Sequence, residues 1–92
     1  MRMTGTGDNW TTAADDDATE AAVLQQLIAL HPTQVTLAEL VRELAGEGAG
    51  FVERDAVERA VRDLTAAGLL HHGESFVVPT RAALRFSDLL DR

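Results

Sequence analysis

The stretch from Asp55 to Val78, DAVERAVRDLTAAGLLHHGESFVV, decides how the chain is read. Val57, Ala60, Val61 and Leu64 recur at i, i+3, i+4 and i+7, one apolar stripe on a helix. Gly68 follows the last periodic turn, where a residue free to take positive φ ends a helix. Leu69-Leu70 and Phe76-Val77-Val78 are two short apolar runs around the polar connection His71-His72-Gly73-Glu74-Ser75. That pattern predicts a β-hairpin. The segment therefore reads as a helix over about residues 53–67, a glycine stop and a small hairpin.

Working upstream, Phe51 and Val52 are expected to pack down as the chain enters this helix. The Gly-rich run 45–50 before them is a flexible turn. It is no phosphate cradle, because it lacks the Lys-Ser/Thr of a P-loop and follows a helix. About eight residues then separate Leu44 from the next helix. Thr36-Leu37-Ala38-Glu39 has the form of a capping box and opens a helix with Leu37, Leu40, Val41 and Leu44 as its buried stripe. Gln34-Val35-Thr36 can supply a very short strand. A first helix is expected from Asp17, capped with Glu20, to about His31, where Pro32 stops it. Val23, Leu24, Leu27, Ile28 and Leu30 make its apolar face, and His31 suits the negative end of the helix dipole. Residues 1–16 read as a disordered acidic tail and 17–92 as one domain. Trp10 in that tail either rests on an apolar patch or anchors a partner.

Downstream, Pro79-Thr80 breaks the hairpin and caps a last helix, in which Ala82, Phe86, Leu89 and Leu90 share one face and Leu84 lies off it. The remaining core is too small for all of these, so the expectation is a homodimer through Phe86, Leu89 and Leu90.

Composition excludes several classes of function. There is no cysteine, so disulfides and thiolate metal sites are absent. The first residues have no apolar signal region, and no apolar run approaches the ~20 residues of a membrane span, so a cytoplasmic protein is expected. All eight basic residues are Arg, which with the many Ala points to a high-GC bacterial genome. No nucleophile–base pair or paired-carboxylate spacing stands out, so no enzyme and no cofactor are expected. His71, His72 and Glu74 are the nearest approach to a metal site. Strand alternation puts the two His on opposite faces, and Asp15-Asp16-Asp17 reads as a solvated run, so no metal is expected either.

The net charge of −7 disfavours nucleic acid as a partner, since phosphate contacts need cations. Residues 19–92 still carry eleven acids against seven Arg, or −4. The polar face of the Val57/Leu64 helix holds Asp55, Glu58, Arg59, Arg62, Asp63 and Ala66. Arg59 with Asp55 and Asp63, and Arg62 with Glu58, are i, i+4 neighbours able to neutralise one another.

The order helix, short strand, helix, helix, hairpin, helix over residues 17–91 resembles the winged helix-turn-helix superfamily, broadly of the bacterial transcription-regulator kind. The carrying motif is Val57-x-x-Ala60-Val61-x-x-Leu64-x-x-x-Gly68-Leu69-Leu70. The long connection after Leu44 departs from the short turn of that family. The resemblance implies a mainly α fold with a small β-hairpin, usually dimeric, whose third helix enters the DNA major groove while the hairpin touches a neighbouring groove or the backbone. Arg59 and Arg62 would then reach base edges or phosphates, with Arg54, His72, Arg81 and Arg85 adding backbone contacts. The alternative is an acidic winged helix that binds another protein and not DNA.

Overall fold

The computed structural model describes residues 4–46, 48 and 50–91, with side chains from Asp15 onward. The side chain of Trp10 thus lies outside the described residues, as does its expected patch or partner contact. Four helices and a small three-stranded antiparallel sheet make up this region, in the order α1 (Thr4–Leu30), β1 (Val35–Thr36), α2 (Leu37–Ala45), α3 (Phe51–Ala66), β2 (Leu70–His72), β3 (Phe76–Pro79) and α4 (Arg81–Leu90).

The expected capping box at Asp17 and Glu20 does not start α1, which begins at Thr4 and runs through both. The Thr19 hydroxyl donates to the carbonyl of Asp15 at 2.9 Å, the i−4 pattern of a continuous helix. The Asp16 carboxylate, as shown below, faces α3. The helix stops just before Pro32, whose ring nitrogen has no hydrogen to donate.

The second capping box forms as expected. The Thr36 hydroxyl accepts from the Glu39 amide at 3.1 Å, and the Glu39 carboxylate accepts from the Thr36 amide at 2.9 Å. The Thr36 amide, and after it the Thr36 hydroxyl donating to the same carboxylate oxygen at 3.1 Å, hold the Glu39 carboxyl below the usual glutamate range. Gly46 then takes φ +91° and ends α2, its N–H donating to the Arg42 carbonyl. The next helix starts at Phe51, earlier than expected, so the connection between α2 and α3 is only residues 46–50. Phe51 and Val52 consequently sit in the first turn of α3 and do not pack down: they are 83% and 75% exposed. The apolar stripe starts a full turn later, at Val57, so the first turn overhangs the core.

Gly68, at φ +85°, turns the chain out of α3, and the Leu69 N–H donates to the Leu64 carbonyl at 3.0 Å. The hairpin follows, with His71 opposite Val78 and His72 opposite Val77. Its central strand is β3, which also pairs with β1 through Val35 opposite Val77, giving the order β1-β3-β2. Alternation buries Val77 and leaves Phe76 largely exposed. Thr80 locks the last helix on: its hydroxyl donates to the Gly68 carbonyl at 2.8 Å and accepts from the Ala83 amide at 3.2 Å.

One core joins every element except α4. Val23 and Leu27 of α1, Val35 of β1, Leu40 and Val41 of α2, the four stripe residues of α3, Leu70 of β2 and Val77 of β3 form a single buried cluster. Ala83 of α4 is buried as well, with Leu84 and Ser87 half-buried on the same side. Leu84 therefore belongs to the inner side of α4, while Phe86, Leu89 and Leu90 are exposed. No buried residue among those described is polar or charged.

Candidate nucleic-acid interface

The apolar stripe of α3 fixes which of its polar residues can face a partner. With Val57, Ala60, Val61 and Leu64 inside, Arg54, Glu58 and Arg62 stand on one exposed row at i, i+4 and i+8. Two shallow grooves flank this row. The first, of about 400 Å³, lies between α2 and α3 and is lined by Leu37, Ala38, Val41, Arg42, Arg54 and Glu58. The second, of about 450 Å³, continues towards the hairpin and is lined by Leu37, Glu58, Val61, Arg62, Thr65 and His72. Leu37 and Glu58 line both, so α2, α3 and β2 present one continuous surface.

Three of the six residues expected at the site, Arg54, Arg62 and His72, line these two grooves. Arg81 and Arg85 are exposed on α4 and line neither groove. Arg59 points elsewhere. Its guanidinium donates to Asp55 at 2.7 Å and to Asp16 of α1 at 3.1 Å, and these two carboxylates raise its pKa above the ordinary arginine value. No bond to Asp63 accompanies them. Among the described residues these are the only ion pairs, so Arg42, Arg54 and Arg62 have no carboxylate within 4.0 Å there.

Arg42, not among the residues expected at the site, also lines the first groove. It lies in the last turn of α2, next to the buried Val41 and two positions from the buried Leu40. Only the packing of α2 beside α3 brings it across from Arg54.

The acids gather on the other flank of α3. Glu20 of α1 is half-buried there, and burial raises its pKa above the ordinary value, with the nearby carboxylates of Asp63, Asp17 and Asp16 adding to the rise. Asp55 and Asp16 hold Arg59 on the same seam. Electrostatically, α3 thus has two unlike sides. One looks towards α1 and is acidic. The other looks towards α2 and the hairpin and offers Arg42, Arg54 and Arg62 with Glu58 as the lone carboxylate lining either groove.

Among the described residues no helix is long and apolar enough to cross a membrane, and no cluster of His, Asp or Glu is placed to hold a metal ion. Neither a protein-family model, nor a curated protein, nor a solved structure matches this chain.

Proposed function

We propose that the chain is a winged helix-turn-helix protein that binds duplex DNA through the surface shared by α2, α3 and the β2–β3 hairpin, as a transcriptional regulator would. The single observation that carries this reading is the segregation of charge across α3. An overall charge of −7 argues against DNA only if the acids face the phosphates. Here the crowded acids lie on the α1 side, and the grooves on the other side are lined by three Arg.

Geometry supports a reading of the major groove. Arg54 and Arg62 are two i+4 steps apart, about 12 Å along the helix axis, comparable to the ~12 Å width of that groove. They can meet phosphates on its two walls or guanine edges within it. Glu58 between them repels phosphate and accepts from the cytosine amino group, so it selects against misplaced registers. Arg42 reaches the backbone from α2, and His72 does so from the hairpin. In this arrangement Arg59 steadies α3 against α1 and does not touch the duplex.

The test is fluorescence anisotropy with duplex fragments across a series of salt concentrations. Three Arg–phosphate contacts give a log–log salt slope of about −3, and Arg54→Ala/Arg62→Ala should bring it to about −1. Arg59→Ala should leave the slope unchanged. A wild type that binds no duplex at low salt overturns the proposal. A second reading, docking of another protein, is favoured by one observation: Phe51 and Val52 stand almost fully exposed one turn from Arg54. That pairing of apolar and cationic groups suits an acidic peptide with an apolar anchor.

A further inference from the structure

We propose that the turns of α1 ahead of Val23 are an autoinhibitory arm for the duplex-binding surface: Asp16 turns the Arg59 guanidinium away from the Arg54/Glu58/Arg62 row, and releasing it adds one more phosphate contact. This control rests on the DNA reading above and acts on the same surface.

The buried stripe of α3 leaves Arg59 close to that row. Arg59 and Arg62 are i, i+3 neighbours, about 60° apart around the helix, and both point away from Val57, Ala60, Val61 and Leu64. Side chains so spaced have Cβ atoms only ~5–6 Å apart. The long Arg59 side chain can therefore reach a phosphate next to the one that Arg62 meets. In this structure two carboxylates claim it instead, Asp55 at 2.7 Å and Asp16 at 3.1 Å.

These two tethers differ in kind. Asp55 lies one turn back on α3 itself, and an exposed i, i+4 pair shifts an equilibrium by only about twofold. A phosphate displaces it readily. Asp16 comes from another helix, 43 residues away along the chain, and draws the guanidinium towards α1. Asp16 and a DNA phosphate thus compete for one cation. Asp15 and Asp17 beside Asp16 add negative charge on the same flank.

The arm is also lightly held. Among the described residues of α1 none before Val23 is buried; Asp16, Thr19, Glu20 and Ala22 are half-buried. The Arg59, Asp16 and Asp55 side chains are 39%, 41% and 46% exposed, so water and salt screen their pairing. Docking the arm crowds like charges as well. Burial, then Asp63, Asp17 and Asp16, push the Glu20 carboxyl above its ordinary range, a sign that the seam holds more negative charge than Arg59 offsets. An ion pair opposed by repulsion makes a contact that a competing anion can open. Val23 and Leu27 keep the rest of α1 on the core while it does so.

Fluorescence anisotropy of the full chain with the same duplex fragments and salt series tests this. Asp16→Asn keeps the shape of the side chain and removes its charge. It should steepen the log–log slope from about −3 to about −4 and tighten binding by roughly five- to tenfold at physiological salt. Asp16→Asn/Arg59→Gln should return both values to those of the wild type, because the gain runs through Arg59. Asp88→Asn removes the same unit of charge from α4, outside both grooves, and should leave the slope unchanged. An Asp16→Asn variant with the wild-type slope overturns the autoinhibition and leaves the DNA reading standing. So does a steeper slope that survives Arg59→Gln, or an Asp88→Asn variant that tightens binding as much. Failure of both the wild type and Asp16→Asn to bind any duplex at low salt overturns the two together.

Discussion

Replacing Leu64 by Ala tests the orientation of α3, on which the placement of Arg54, Glu58 and Arg62 depends. Leu64 is 5% exposed and belongs to the same cluster as Val23 and Leu27 of α1, Leu40 of α2, Leu70 of β2 and Val77 of β3. Truncation removes about three methylene equivalents from the core, roughly 2.4 kcal/mol at about 0.8 kcal/mol each. The cluster that holds Leu64 draws on five elements besides α3, so the site cannot collapse freely, and the residual cavity brings the cost to about 3–4 kcal/mol, within the usual range for Leu→Ala. A domain of this size has only about 5–15 kcal/mol in all. With a urea m-value of about 1–1.5 kcal/mol/M, the midpoint should fall by about 2–4 M. Ala66, two residues on and exposed, is the control. Ala66→Ser costs only the difference in helix propensity, about 0.5 kcal/mol, and should shift the midpoint by less than about 0.5 M. Urea melts followed by circular dichroism give both values. Equal midpoints for the two variants would mean that α3 is rotated and that the wrong row has been assigned to solvent.

Two further predictions probe local devices. Thr80→Ala removes both the bond to the Gly68 carbonyl and the cap on the Ala83 amide, and should cost about 1–2 kcal/mol; Thr80→Ser keeps both and should melt within a degree or two of the wild type, so equal losses for the two would refute the role of the hydroxyl. The Glu39 carboxyl is held below its ordinary pKa by the Thr36 amide and hydroxyl, so the stabilisation is present above the ordinary glutamate value and is lost as the pH falls through the lowered one. The melting-temperature gap between wild type and Glu39→Gln should accordingly close as the pH drops into that window, and a gap that stays constant with pH would show that the carboxylate is not what Thr36 holds.

Much of the fold is a matter of local pattern, and the chain's residues in order suffice to read it. The α3 stripe is one period of hydrophobicity, the Gly68 stop is a backbone requirement met by φ +85°, and the Thr36–Glu39 box spans four residues. Pro32, Gly46 and the turn before Phe76 act within a few residues of themselves. Such short-range rules leave little for the rest of the chain to alter. Where a rule had competitors it failed: Asp17 can cap a helix, yet α1 runs through it, and Phe51 is apolar, yet the first turn of α3 leaves it in solvent.

Tertiary structure decided which chemically equivalent residues do which work. Arg59 and Arg62 lie on the same helix three positions apart and look alike in sequence. The approach of α1 supplies Asp16, 43 residues away along the chain, and removes Arg59 from the exposed row. The packing of α2 brings Arg42 across from Arg54, and the sheet order β1-β3-β2 sets His72 beside Arg62. Likewise, a helical period alone cannot say which side of α4 meets the core; its junction with Gly68 through Thr80 turned Ala83 and Leu84 inward and left Phe86, Leu89 and Leu90 outside. The reason is common to all of these. Charge pairing and burial depend on distance in space between segments, and a sequence read along its own length fixes only distances of a few residues.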